Sequence, residues 1–341
     1  MSLFGSKRQA TRITVFGKTD LGRTREHNED CFLVADLTAR EASLQPDVRE
    51  HAIGERGSLI VVADGMGGAA AGEVASQMAT ETIFDHLVNT WCQDGERTPQ
   101  QFAFRLKEAV EVANRAIHDY ARQHPEVRGM GTTTTTAGVL DDYVYLAQVG
   151  DSRAYLIRGG QAMQLTKDQS LMQRLVDAGE LTEEEAERSE RKNIILQALG
   201  PDARVRVDLT HQEIRKGDTL VLCSDGLSGQ VKREEIAAMV SDPSMDLAAA
   251  CTRLVALANE RGGPDNITVV IARFTGDGLK DARADDRIGH QVYPLSDGDS
   301  TTEPVPVYRG SPPPAPKGAV HALLVAALAV LAIGIAVFTL T

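Results

Sequence analysis

One pattern recurs along this chain and restricts its fold more than any other: a run of β-favouring apolar residues that stops at an aspartate. Leu59-Ile60-Val61-Val62-Ala63 ends in Asp64-Gly65-Met66-Gly67-Gly68, and Thr219-Leu220-Val221-Leu222-Cys223-Ser224 ends in Asp225-Gly226. Ala147-Gln148-Val149-Gly150-Asp151-Ser152 is a looser copy, and Asp265-Asn266 ahead of Ile267 to Ile271 is the mirror image. Each reads as a buried strand with a carboxylate at its tip. The glycines let the backbone turn sharply and approach a ligand. Asp-Gly is also a common turn pair, so one instance alone says little. A fifth stretch, Arg25-Glu26-His27-Asn28-Glu29-Asp30, leads into another strand. If these ends converge, they form a cluster of hard oxygen donors with almost no His or Cys. Such a cluster suits Mg²⁺ or Mn²⁺ and disfavours zinc. Without a cation its carboxylates would repel one another.

The formal charge of −12 argues against a nucleic-acid partner, because phosphate backbones are held by Lys and Arg. Cys31, Cys92, Cys223 and Cys251 form no close pair, and three sit in apolar runs, which fits buried reduced thiols. The first residues are basic but lack an apolar segment, so no cleaved signal peptide is expected.

Strands are expected at Ile13 to Gly17 and Cys31 to Ala35, and the polar stretch Thr38 to Gly57 reads as an inserted loop. Ala69 to Trp91 has a helical apolar face, and Pro99 opens a second helix that ends at Pro125. Thr132 to Leu165 reads as an antiparallel meander. Ser170 to Leu199 carries two short helices in polar surroundings, the second opened by a capping box at Thr182-Glu183-Glu184-Glu185, and reads as a flap. Strands at Val205 to Leu209 and Thr219 to Cys223, helices over Lys232 to Val240 and Asp246 to Arg261, and a strand from Ile267 to Phe274 complete the set. These elements predict an α+β fold: a four-layer α-β-β-α sandwich of two antiparallel sheets flanked by helix pairs, with the acids meeting along one edge between the sheets.

Beyond the domain the composition changes. Residues 276–318 are acidic and then proline-rich, which reads as an extended linker. Residues 319–340 carry no formal charge and give about 33 Å of helix, enough to cross a membrane once. Arg309 and Lys317 flank the domain side, which agrees with a cytosolic domain. The expected organisation is a tail at 1–10, one domain at 11–275 with a flap at about 168–200, the linker, and a transmembrane helix that leaves the protein tail-anchored.

Taken together, the motifs resemble the metal-dependent protein serine/threonine phosphatases of type 2C, in their bacterial branch. The resemblance runs from about Ile13 to Phe274. It rests on Thr19-Asp20-Leu21-Gly22 leading to Arg25 and Asp30, Asp64-Gly65-Met66-Gly67-Gly68 with Gly72-Glu73, Gly129-Met130-Gly131-Thr132-Thr133, Gly150-Asp151-Ser152-Arg153-Ala154-Tyr155, Ser224-Asp225-Gly226-Leu227 and Gly263-Pro264-Asp265-Asn266-Ile267-Thr268. It implies two Mn²⁺ or Mg²⁺ ions joined by a bridging water that attacks phosphate in line. Asp64 would touch both ions, the Gly65 carbonyl one of them, and Asp225 and Asp265 the other. Glu29 and Asp30 would act through water, and Arg25 would grip the phosphate. A third, weaker ion would lie between Asp151 and Asp225.

Three positions depart from familiar members. Met66 stands where animal enzymes place a histidine, and Ala69 and Gln169 replace histidines frequent in bacterial relatives. Water on a metal is then the expected proton donor to the leaving group. The expected partners are phosphorylated proteins, a Ser/Thr kinase and its targets, and the cytoplasmic membrane; no nucleic acid is expected, and the chain is expected to be a monomer. The competing readings are a catalytically silent phosphoprotein-binding scaffold at the membrane, and a nucleotide enzyme. The second lacks the Gly-Lys-Ser/Thr that a phosphate loop needs.

Overall fold

The computed structural model describes residues 11–295, apart from 44–46, 48, 68–70, 190 and 284–285. The tail at 1–10, Gly68, Ala69, the linker from 296 and the proposed membrane helix lie outside the described residues. The chain runs β1 (Arg12–Asp20), β2 (Asp30–Asp36), β3 (Glu41–Ser43), β4 (Arg49–Ala52), β5 (Ser58–Met66), α1 (Ala71–Asn89) and α2 (Pro99–Gln123). The meander follows as β6 (Gly131–Thr132), β7 (Thr134–Leu140), β8 (Tyr143–Val149), β9 (Arg153–Arg158) and β10 (Gln161–Gln164). Then come α3 (Leu171–Asp177), α4 (Glu183–Arg188), β11 (Asp208–Glu213), β12 (Thr219–Cys223), α5 (Asp225–Ser228), α6 (Arg233–Val240), α7 (Leu247–Glu260) and β13 (Ile267–Thr275).

Two antiparallel sheets result. One has the order β10-β9-β12-β13-β1-β4; the other runs β11-β8-β7-β5-β2-β3, with β6 paired to β5. Their facing sides share a core that includes Ile13, Phe32, Val34, Ile60, Val62, Leu220, Leu222, Val270 and Phe274. Residues of opposite parity face the helices. Leu33, Leu59, Val61 and Ala63 pack under α1 and α2 with Ile83, Phe102 and Leu106. Val221, Cys223, Val269 and Ile271 pack under α6 and α7 with Ile236, Cys251 and Leu254. Central strands are therefore covered on both faces, which is why they read as continuous apolar runs.

The helix ends follow local chemistry. Thr98 caps α2 by accepting from the Gln101 amide, with Pro99 at the first position. The capping box at Thr182 and Glu185 opens α4 within the flap.

The strand expected at Val205 to Leu209 forms further along as β11, and two longer stretches differ from the sequence expectation. The stretch 38–57, expected as a loop, contains β3 and β4, which pair with β2 and β1 at the edges of different sheets. It ties the two sheets together along one side, and Arg56 fixes it to the end of α1 by donating to the carbonyls of Trp91 and Asp94 and lying over the Trp91 ring at 5.3 Å. Such long-range pairing leaves no apolar period to read. Residues 276–295, expected to begin an extended linker, run back over the domain. The His211 amide donates to the Gln291 carbonyl and the Tyr293 amide to that of Leu209, so this segment lies antiparallel along the β11 edge. Asp286 accepts two hydrogen bonds from Arg215, at 2.9 and 2.7 Å. Leu279 is buried, and Tyr293 and Leu295 pack against the core under α1 and α2.

Candidate metal and phosphate site

Strand parity explains how the acids meet. Asp64 follows Ile60 and Val62 on the same face of β5, and Asp30 precedes Phe32 and Val34 on the same face of β2; in each strand that face looks between the sheets. Asp30 and Asp64 are also direct cross-strand partners. Ser224 and Thr268 share the inter-sheet parity of Leu222 and Val270. The Ser224 hydroxyl donates to Asp30 Oδ2 at 2.8 Å and accepts from the Thr268 amide at 2.9 Å. Asp225 opens the one-turn helix α5, and Asp265 sits two residues before β13.

The local backbone is fixed by side chains. Thr132 and Thr133 bond the Asp64 carbonyl at 2.9 and 2.8 Å, and the Thr133 hydroxyl accepts from the Asp64 amide at 3.2 Å. Glu29 donates its amide to Asn266 Oδ1, while its carbonyl accepts from the Gly65 amide and the Ser76 hydroxyl. Gly65 has to be glycine, because a β-carbon there would run into the carbonyls of Gly72 and Glu29. Asn266 further donates to the carbonyls of Leu21 and His27, which pins the turn carrying Arg25. His27 itself is an exposed residue.

Each acid singled out in the sequence feels the charge of at least one other. Burial, then Asp30, Asp225, Asp151 and Asp265, hold Asp64 well above the usual carboxylate range. Burial, with help from Asp225 and Asp265, pushes Asp30 up to about 7. Burial, then Asp225 and Asp168, pushes Asp151 up to about 7. Asp225 is raised by burial and by Asp265, and its carboxyl lies within hydrogen-bonding reach of Asp64. Burial raises Glu29, opposed by Arg25. Arg25 donates to Asp265 Oδ2 at 2.7 Å and is held firmly charged by that bond, with further attraction from Glu29 and Asp64. Its side chain is 49% exposed, so it faces both the acids and solvent.

Among the described residues, no three acidic, His or Cys side chains stand as a ready-made metal cage. The donor set nevertheless fits a hard divalent cation on three grounds. Asp30 Oδ1 is buried without a hydrogen-bond partner. Asp64 and Asp225 crowd their carboxyls together. Every oxygen donor is of the kind Mg²⁺ or Mn²⁺ prefers.

Ser224, Thr133, Ser76 and Asn266 were not singled out as site residues from the sequence. Ser224 and Asn266 do adjoin Asp225 and Asp265 in the same motifs, which is the available signal.

Crowded acids under a charged, half-exposed arginine narrow the class to hydrolases that use divalent cations to bring water to a phosphate ester. Comparison with known proteins makes the assignment particular. A family model described as protein phosphatase 2C matches residues 39–263. The serine/threonine phosphatase stp of Listeria monocytogenes is 36% identical over 254 residues, covering 74% of this chain and 93% of its own. Protein phosphatase PhpP of Streptococcus pneumoniae is 37% identical over 254 residues, covering 74% and 94%. The crystal structure of the Mycobacterium tuberculosis serine/threonine phosphatase PstP/Ppp superposes with a TM-score of 0.64 at 36% identity, over 77% of this chain and 99% of that one. The PstP catalytic domain in complex with two manganese ions gives 0.62 at 36% identity, over 78% and 99%. The chain belongs to the protein phosphatase 2C family.

Proposed function

We propose that this protein hydrolyses phosphoserine and phosphothreonine in proteins with the help of Mn²⁺ or Mg²⁺, and that it does so tethered to the cytoplasmic membrane opposite a Ser/Thr kinase. The observation that carries the hydrolase reading is the nest of raised carboxyls, with Asp64 against Asp225, directly beside Arg25. Asp64, the Gly65 carbonyl, Asp225 and Asp265 are the residues that would hold two cations. Glu29 and Asp30 would act through water, and Asp151 with Asp225 would hold a third. When bound, such ions supply a water of lowered pKa and neutralise phosphate charge.

The rest falls to the chain itself. Arg25 presents a planar fork of donors to the phosphate oxygens, with its position set by Asp265. Asn266 holds the Arg25 turn against Glu29. The buried hydroxyls of Ser224 and Thr133 hold Asp30 and Asp64 without adding charge. Among the described residues no Cys or His is hydrogen-bonded to these acids, which favours direct attack by water. A silent scaffold would have no use for so costly a gathering of acids.

The tether rests on the length and apolarity of residues 319–340, behind a linker long enough to let the domain reach neighbouring proteins. Tethering would raise its effective concentration near a membrane-bound kinase. The full chain is expected to release phosphate from a phosphothreonine peptide with Mn²⁺, and Asp64→Asn to lower that rate by at least ~10²-fold, the scale of losing a principal electrostatic group. Undiminished release in excess chelator, or in Asp64→Asn, would remove the mechanism.

A further inference from the structure

Gln169 is a buried residue in the loop between β10 and α3, and it makes contacts in two directions. Towards the catalytic edge it grips Gly150, the neighbour of Asp151, twice. Its backbone amide donates to the Gly150 carbonyl at 2.9 Å, and its Oε1 accepts from the Gly150 amide at 3.0 Å. Towards the flap, its carbonyl accepts from the Leu196 amide at 2.7 Å, and its Nε2 donates to the Arg206 carbonyl at 3.4 Å. Ser170, next in sequence, bridges Ile195 on the same returning limb. One residue thus spans the base of the flap and the Asp151 turn: its backbone holds Leu196, and its side chain joins Gly150 to Arg206, whose amide donates to Gln197 Oε1 on the flap at 2.9 Å.

The turn it grips is itself stiff. Gly150 has φ +104°, and a β-carbon there would lie 2.6 Å from Thr133 Cβ. Ser152 shares a 2.7 Å hydrogen bond with the Thr133 hydroxyl, which also accepts from the Asp64 amide. Gln148 Nε2 donates to the carbonyls of Gly150 and Ser152, at 3.2 and 3.0 Å. The turn is therefore tied to Asp64 on one side and, through Gln169, to the flap on the other.

We propose that Gln169 is a positioning residue that couples the flap to the Asp151 turn, so that flap placement and cation holding at Asp151 form one linked equilibrium. The inference rests on Asp151 being a ligand of the weaker cation. Linkage makes the effect reciprocal: whatever steadies the flap tightens that cation, and the cation steadies the flap. An amide suits the task, since it offers one acceptor and one donor at any working pH.

The test uses the full-length chain. Free Mn²⁺ is counted by its electron paramagnetic resonance signal during titration, and amide hydrogen exchange is read at Gly150 and Leu196. Gln169→Leu removes both side-chain contacts. It is expected to weaken the most weakly held Mn²⁺ by ~10-fold or more, the scale on which ligand-orienting neighbours act. Tighter Mn²⁺ is expected to be unmoved, exchange to quicken at Gly150, which loses its acceptor, and at Leu196 as the flap base loosens around the retained backbone bond, and activity lost at limiting Mn²⁺ to return in excess, which a general loss of packing would not produce. Gln169→His at about pH 8, where imidazole is neutral and offers one acceptor and one donor, is expected to restore the weak class.

Asp151→Asn separates the two readings. Loss of the weak class in Asp151→Asn but not in Gln169→Leu overturns the coupling. Parent-like binding in Asp151→Asn overturns the ligand assignment beneath it. If Gln169→Leu fails to fold, the His variant decides: parent-like Mn²⁺ binding combined with fast exchange at Leu196 overturns the coupling, and parallel changes in both uphold it.

Discussion

Asp30 and Asp64 are placed by an argument no longer than two residues in each strand. Every second side chain of β2 and β5 enters the space between the sheets; Asp30 opens that row in β2, and Asp64 follows Val62 in that of β5. A one-residue slip would turn either carboxylate under the helices instead. Crowding then dictates the protonation chemistry. A carboxyl whose pKa is raised on folding binds its proton more tightly folded than unfolded. The stabilisation from Asp30 and Asp151 is therefore complete below the unfolded value of 3.8 and is lost as pH rises through about 7. Asp64 and Asp225 shift in the same direction. In chelator, the thermal midpoint is expected to fall between about pH 5 and about pH 8, and added Mn²⁺ to cancel most of that fall by neutralising the acids. A midpoint that stays level across that window without metal would contradict the crowding. At this scale the acids were legible because strand-then-aspartate is a local pattern. Asn266 was not, since its partner Glu29 is 237 residues away, and Gln169 showed only as a departure from relatives.

At the scale of elements, the segment 276–295 belongs to the domain. It covers the β11 edge, which would otherwise present unpaired backbone groups, and it buries Leu279. It also partners Arg215, an arginine only 6% exposed that is shared by Glu213 and Asp286, beside the Arg158–Asp218 pair. A chain ending at 275 forfeits about 2 kcal/mol for Leu279 alone, besides the edge hydrogen bonds and a partner of Arg215. Denaturant unfolding of chains ending at 275 and at 295 checks this: the longer is expected to be more stable by at least that amount, and equal midpoints would show that the segment is dispensable. This docking is not legible in the sequence, because its contacts are made by isolated residues among charged ones, with no apolar period to read. The stretch 38–57 escaped for the same reason: two short edge strands carry too few residues to display a period.

For the molecule as a whole, the open question of place depends on residues 319–340. Among the described residues no helix is long and apolar enough to cross a membrane, and the proposed span lies outside them. Cell fractionation tests it directly. The full chain is expected in the membrane pellet and a chain lacking 319–341 in the supernatant; both in the supernatant would end the tether. The layered architecture was legible in outline, because the periods of 3.6 and the apolar runs alternate as two helix pairs around two sheets require.

The sequence by itself determined which residues could do the chemistry: acids at strand ends, an arginine near them, glycines where backbones must approach. These are local statements, and local patterns of apolar and polar residues encode them. Only the tertiary structure decided which of those ends face the same space and which neutral side chains hold them there. It likewise decided where residues 276–295 lie. Those outcomes depend on register and on contacts between residues far apart in the chain, and such contacts leave no periodic trace along it.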